Sequence, residues 1–211
     1  WLPRHSAPLD AELARLRGHR EERNLKILDR LRSIGINIGY QEVLDEAGGE
    51  SVGRPHIARV LQKRGVVSNF AQAFELYLGY YGAAYVPRTL LTPEEGVSLM
   101  ADLGAVVSFA HPMLIRCPPS WFDEIIPRLK EAGLGAIEAY HSEHSARDER
   151  FCVELAARYG LGLSGGSDYH GMAKPGVELG RGKGGLRVTV ALLDALKARR
   201  KRPVDDAPEV L

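Results

Sequence analysis

Between residues 10 and 35 apolar side chains return at three- and four-residue steps, with Leu13, Leu16, Ile27, Leu31 and Ile34 on one face. That period is helical, and Asp10 as a cap with Gly35 as a stop frames the segment. Arg20 and Arg23 interrupt the same face, placing charge where the pattern asks for apolar surface. Shorter helices are predicted over 41–47, 55–64 and 69–78, the second opened by Pro55 in its first turn and closed by Gly65. From residue 92 the rhythm changes. Thr92 followed three residues later by Glu95 predicts a capping box. Strand-like apolar runs at 105–109, 136–140 and 161–164 then alternate with amphipathic helices at 93–103, 121–132, 147–159 and 190–199. Such alternation predicts a parallel α/β sheet or barrel.

Polar groups follow each predicted strand: His111 after the first, His141 and His144 after the second, Asp168 and His170 after the third. In α/β folds chemistry gathers at the carboxyl ends of strands. A neutral imidazole nitrogen and an anionic carboxylate oxygen together suit zinc, manganese or iron. Water on such an ion becomes hydroxide near neutral pH, a nucleophile for phosphoryl or acyl centres. His111, Asp168 and His170 are therefore read as metal ligands. His141 and His144 are open between outer groups around the metal, substrate contacts and surface residues.

A second theme is anion recognition. Gly53-Arg54-Pro55-His56 stands where a helix begins, and a helix amino terminus beside a guanidinium favours phosphate. Charge on the stripe shared by Leu16 and Ile27 is costly unless the stems of Arg20 and Arg23 run out to solvent or their heads meet an anion. Gly160, Gly162 and Gly165 satisfy a dinucleotide-type spacing but straddle the predicted strand instead of opening a helix, and Gly182-Lys183 lacks the rest of a phosphate loop. Both matches are set aside.

Composition narrows the classes. With 211 residues and 45% hydrophobic content the chain can bury one sizeable core and a small appended subdomain. A net charge of +1 demands neither nucleic acid nor membrane. Two cysteines, Cys117 and Cys152, form no disulfide framework, which favours a reducing, cytoplasmic compartment. No apolar stretch approaches a membrane span, and no obligatory protein partner is evident. The basic run Lys197 to Arg202 and the proline-containing end read as a solvated helix terminus and a loose tail.

Several separated segments occur together in family order: Gly53-Arg54-Pro55-His56-Ile57-Ala58, Tyr77-Leu78-Gly79, Ala84-Tyr85-Val86-Pro87, Ala110-His111-Pro112, Ile137-Glu138-Ala139-Tyr140-His141 and Gly165-Gly166-Ser167-Asp168-Tyr169-His170-Gly171. On these the chain resembles the PHP (polymerase and histidinol phosphatase) superfamily across roughly residues 10–196. Within it, the likeness is to the branch of metal-dependent phosphoesterases holding 3′,5′-nucleoside bisphosphate phosphatase and the related 5′-to-3′ exoribonuclease. The resemblance implies a distorted (β/α)7 barrel with an inserted helical subdomain, the substrate lying between them. It implies up to three divalent metals in the complete protein, manganese first and iron(II) or zinc otherwise, with His111, Asp168 and His170 among the ligands. Arg20, Arg23 and Arg54 fall where the family contacts substrate phosphate, and His56 and His144 are carried over as further substrate contacts. The implied reaction is in-line attack of metal-bridging hydroxide on phosphorus in a phosphorylated nucleotide or a short RNA 5′ end, with no protein nucleophile.

The implied layout is a barrel remnant at 1–9, a mainly helical insertion at 10–91, the C-terminal part of an α/β barrel at 92–200 and a tail at 201–211. Family members open with a His-x-His strand and further ligands, and this sequence holds no such segment; neither His5 nor His19 lies in a matching motif. The expectation is that the chain starts inside a longer protein, to which the activity belongs. The alternatives are a noncatalytic nucleotide- or RNA-binding relative, which keeps the arginines without metals, and a histidinol-phosphatase-like or other metallohydrolase.

Overall fold

Helix α1 runs Ala7–Ser33 and so starts three residues before the predicted cap. Pro8 is tolerated in a first turn, where its missing N–H costs nothing, and the Asp10 carboxylate there complements the helix dipole. Only the second half of the predicted apolar stripe is core. Asn24, Ile27, Leu28 and Leu31 are buried, whereas Leu13 and Ile34 stay 40% and 46% exposed. The computed structural model describes residues 2, 6–49, 51–171 and 174–200. The predicted tail at 201–211, His5 and most of the segment before Ser6 lie outside the described residues. Contacts divide the chain into two units, Ala7–Leu90 in one and Ser6 with the residues from Leu91 onward in the other.

In the first unit, α2 (Tyr40–Ala47), α3 (Arg54–Lys63) and α4 (Phe70–Ala73) follow α1, and α4 continues into a wide π-helical turn, Phe74–Leu78. Their apolar faces close one core around Ile27, Leu31, Ile38, Val43, Ile57, Leu61 and Leu78.

The second unit alternates helix and strand: α5 (Pro93–Asp102), β1 (Val107–Phe109), α6 (Pro119–Glu131), β2 (Leu134–His141), α7 (Ala146–Tyr159), β3 (Gly162–Gly166) and α8 (Val190–Lys197). The capping box opening α5 forms, with Thr92 N–H donating to Glu95 at 2.7 Å and Glu95 N–H to the Thr92 hydroxyl at 3.2 Å. The strands make a parallel sheet in the order β1-β2-β3. Phe122 and Ile126 of α6 and Cys152 and Leu155 of α7 cover it, packing with Ile137, Ala139 and Leu161.

β3 ends two residues later than its apolar run predicts. Glycines argue against strand by propensity, but here the chains approach so closely that a Cβ on Gly165 would stand 2.7 Å from the Tyr140 carbonyl oxygen. The hydroxyls of Ser108 on β1 and Ser164 on β3 meet at 2.6 Å although β2 lies between those strands. Neighbouring strands stand ~4.8 Å apart, so edge strands two spacings apart touch this way only where the sheet curls. Among the described residues no helix is long and apolar enough to cross a membrane.

Candidate active site

At the carboxyl ends of the strands the second unit collects four histidines and three carboxylates. His111 follows β1 with φ 32° and Asp168 follows β3 with φ 54°, both in the left-handed region that side chains disfavour. Such strain persists only where surrounding contacts enforce it. At His111 the enforcing contact is Glu138 of β2, whose carboxylate accepts the His111 backbone N–H at 2.6 Å. At Asp168 it is Lys174, whose ammonium lies 2.6 Å from Oδ2 and also 2.9 Å from Glu143 Oε1. The bond from Lys174 holds the Asp168 carboxyl below the usual range, and the two carboxylates raise Lys174 in turn.

The imidazoles differ in what they offer. His141, at the end of β2, is buried, with its ring 5.6 Å from that of His111 and 5.1 Å from that of His144. Its Nδ1 accepts the Glu143 N–H at 3.2 Å, so in the neutral ring Nε2 carries the proton, 3.7 Å from Asp168 Oδ2. Burial pushes His141 below the usual histidine range, opposed by the Glu138 and Asp168 carboxylates. His144 is the opposite tautomer. A carbonyl can only accept, so its Nδ1 donates to Ala139 O at 2.9 Å and Nε2 keeps its lone pair. That atom is buried without a hydrogen-bond partner. His170 is fixed alike by a 2.8 Å bond from Nδ1 to Asp168 O, leaving its Nε2 lone pair.

The donors are of the right kind for a divalent metal: two histidines with oriented Nε2 lone pairs, and a carboxylate that already engages a stand-in cation, the Lys174 ammonium. The set is not closed. Among the described residues no three His, Cys, Asp or Glu side chains stand together so as to hold a metal ion. Of the predicted trio, only Asp168 and His170 are in contact, at 3.5 Å. His111 instead meets His141, which in turn meets His144. Glu138, Glu143 and Lys174 went unassigned in the sequence. Glu138 alone carried a signal, as part of a strand motif.

The predicted arginines converge in the helical unit. A cavity of about 590 Å³ is lined by Arg17, His19, Arg20, Arg23, Arg54 and Arg88. Arg20 donates to the Ser51 hydroxyl at 2.8 Å, Arg23 to Val86 O at 2.9 Å and Arg54 to Leu78 O at 2.8 Å. Arg54 also lies over the Phe74 ring, 5.7 Å from its centroid. Burial first, then the charges of Arg54, Arg88 and Arg20, hold Arg23 below the usual guanidinium range. Among the described residues none of these lining arginines forms an ion pair. His56 does not line the cavity. It is buried at the start of α3, where its Nδ1 accepts the Gly53 N–H at 3.1 Å, a helix-capping bond.

No protein-family model matches the chain. It is 30% identical over 175 residues to the 5′-3′ exoribonuclease Rnm of Escherichia coli, covering 82% of this chain and 59% of that one. It is 28% identical over 186 residues to the 3′,5′-nucleoside bisphosphate phosphatase of Chromobacterium violaceum, covering 84% and 65%. The chain is a homologue of these phosphoesterases. It spans a little under two thirds of their length. The likeness extends to solved structures. One from Bifidobacterium adolescentis, described as a metal-dependent phosphoesterase, superposes with a TM-score of 0.68 at 26% identity over 96% of this chain and 70% of that one. An amidohydrolase from Chromobacterium violaceum, with sulfate bound and no metal, gives 0.65 at 26% identity over 97% and 71%. The exoribonuclease and the bisphosphate phosphatase are the relatives that the sequence resemblance named.

Proposed function

We propose that the chain is part of a metal-dependent phosphoesterase that hydrolyses phosphate from a nucleotide-type substrate, either a 3′,5′-nucleoside bisphosphate or the 5′ end of a short RNA. The observation that carries the reading is the cavity of Arg20, Arg23 and Arg54. Several guanidiniums gathered with no carboxylate among the described lining residues repel one another, and a phosphate relieves that repulsion through short, charge-assisted bonds. Backbone carbonyls aim Arg23 and Arg54 and the Ser51 hydroxyl aims Arg20, neutral partners that orient an arginine without neutralising it.

In the α/β unit, His111, Asp168 and His170 are proposed to hold a divalent cation, manganese by preference, with His144 beside them. A cation there supplies charge to a phosphoryl oxygen and activates water. The chain's own residues set the stage: Glu138 pins the His111 backbone, Ala139 O and Asp168 O choose the tautomers of His144 and His170, and the buried His141 N–H faces Asp168. The sheet is proposed as part of a PHP barrel, a reading supported by the curl that brings Ser108 to Ser164. The open donor set favours one second reading, a nucleotide-binding relative without chemistry.

One experiment separates them. The full protein is given manganese and adenosine 3′,5′-bisphosphate, or a 5′-phosphorylated tetraribonucleotide, and released phosphate or mononucleotide is measured. Manganese-dependent release is expected. Tight nucleotide binding with no release in any divalent metal establishes the binding module instead.

A further inference from the structure

Residues 79–86 form a turn in the helical unit that arginines of the cavity fasten at both ends. Arg54 holds the Leu78 carbonyl just before it, and Arg23 holds the Val86 carbonyl at its end. Arg30 adds a bond to Tyr85 O. Within the turn, Gly79 N–H donates to Phe74 O at 2.7 Å, Gly82 N–H to Gly79 O at 2.9 Å and Ala84 N–H to Tyr77 O at 2.9 Å. The fold is tight enough that a Cβ on Gly82 would run into the Tyr77 backbone.

On this ordered backing two tyrosines face water. Tyr80 is 71% exposed and Tyr81 95%. Their rings meet edge to face, with centroids 4.9 Å apart and planes at 87°, and Tyr80 also packs on Tyr85 at 5.2 Å. Tyrosine ordinarily places most of its ring against other groups, and neither of these rings belongs to the core. An exposed aromatic face beside a cationic groove is the combination that binds single-stranded nucleic acid, because every base has a face to stack while phosphate meets the charge. The tyrosines do not themselves line the cavity, but Tyr80 stands two residues beyond Leu78, whose carbonyl the cavity's Arg54 holds, so the Cα atoms of Tyr80 and Leu78 lie within ~7.6 Å.

We propose that Tyr80 and Tyr81, backed by Tyr85, form a stacking platform for the base of a nucleotide or short single-stranded RNA whose phosphate occupies the arginine cavity. This rests on the phosphate reading of that cavity. It assigns the tyrosines a part in specificity: they separate a nucleotide from a sugar phosphate with no base, and the stacking tolerates any base.

The test is calorimetric titration of the full protein, without metal, with adenosine 3′,5′-bisphosphate and with the matching ribose bisphosphate that has no base. The wild type is expected to bind the adenosine compound at least tenfold tighter. Tyr80→Ala/Tyr81→Ala should abolish that preference and leave the base-free ligand unchanged, while Tyr80→Phe/Tyr81→Phe, which keeps the rings, should retain it. Arg54→Ala should weaken both ligands. Unchanged adenosine bisphosphate binding in the alanine pair overturns the platform and leaves the phosphate reading standing. Equal loss on both ligands in a protein with wild-type circular dichroism also overturns it. Failure of the wild type to bind either ligand removes the phosphate reading and the platform with it.

Discussion

In the helical unit the lining arginines lean on neutral groups, the carbonyls of Leu78 and Val86 and the hydroxyl of Ser51. In the α/β unit the charged groups lean on one another, with Lys174 shared between Asp168 and Glu143. A cation held by a carbonyl dipole keeps its full charge for a visiting anion. A carboxylate already paired with an ammonium accepts a metal only by exchange. On the proposed function the first arrangement is an open anion site and the second a cation site with an occupant tethered to the chain.

Asp168→Ala tests the second half of that contrast most severely. Divalent-metal affinity of the full protein should fall by more than about a hundredfold, with turnover lost in parallel; full metal stoichiometry in this variant, measured by elemental analysis, ends the ligand role. Arg54→Ala tests the first half. Losing one charge-assisted bond should weaken phosphate-substrate binding by about 10- to 100-fold while metal content holds, and a matching loss of metal would erase the division of labour. Lys174→Met sharpens the contrast further, because removing the tethered ammonium should tighten manganese binding several-fold and lower the melting temperature of the metal-free protein. An unchanged manganese affinity would make Lys174 a bystander.

The smallest effect concerns an ordinary carboxylate of the α/β unit. Asp148 accepts the Ser145 backbone N–H at 2.9 Å and its hydroxyl at 2.7 Å, and these bonds hold its carboxyl below the usual aspartate range. A depressed folded value adds stability above the unfolded pKa, near 3.9, and that increment is lost as pH falls through the lower folded value. Ser145→Ala should cost about 1 kcal/mol at pH 7 and flatten the acid limb of a urea-midpoint profile. A limb as steep as wild type would leave the depression to the Ser145 backbone N–H alone.

The helical and strand periods were legible because burial on one face writes a period into the sequence, as with Ile27 and Leu31. β3 was placed short because close strand approach demands glycine, which reads locally as a turn. Arg20 and Arg23 stood out as charges on an apolar stripe, and that stripe divides: its later half packs in the core and its earlier half lines the cavity. Arg88 had no such contrast, lying in a stretch without period. His56 looked like a ligand contact beside Arg54, yet its ring turns back to cap α3, a place usually held by glutamate or glutamine. Lys174 could not be foreseen, since its importance lies in two carboxylates distant in sequence.

The left-handed backbone at His111 and Asp168 carries an evolutionary consequence. Glycine at either position would adopt the same geometry without steric penalty, so the mutation that best relaxes the backbone also deletes a side chain at the strand ends. Laboratory selection for heat resistance alone should therefore drift toward glycine at these two positions, and selection that also demands turnover should refuse it.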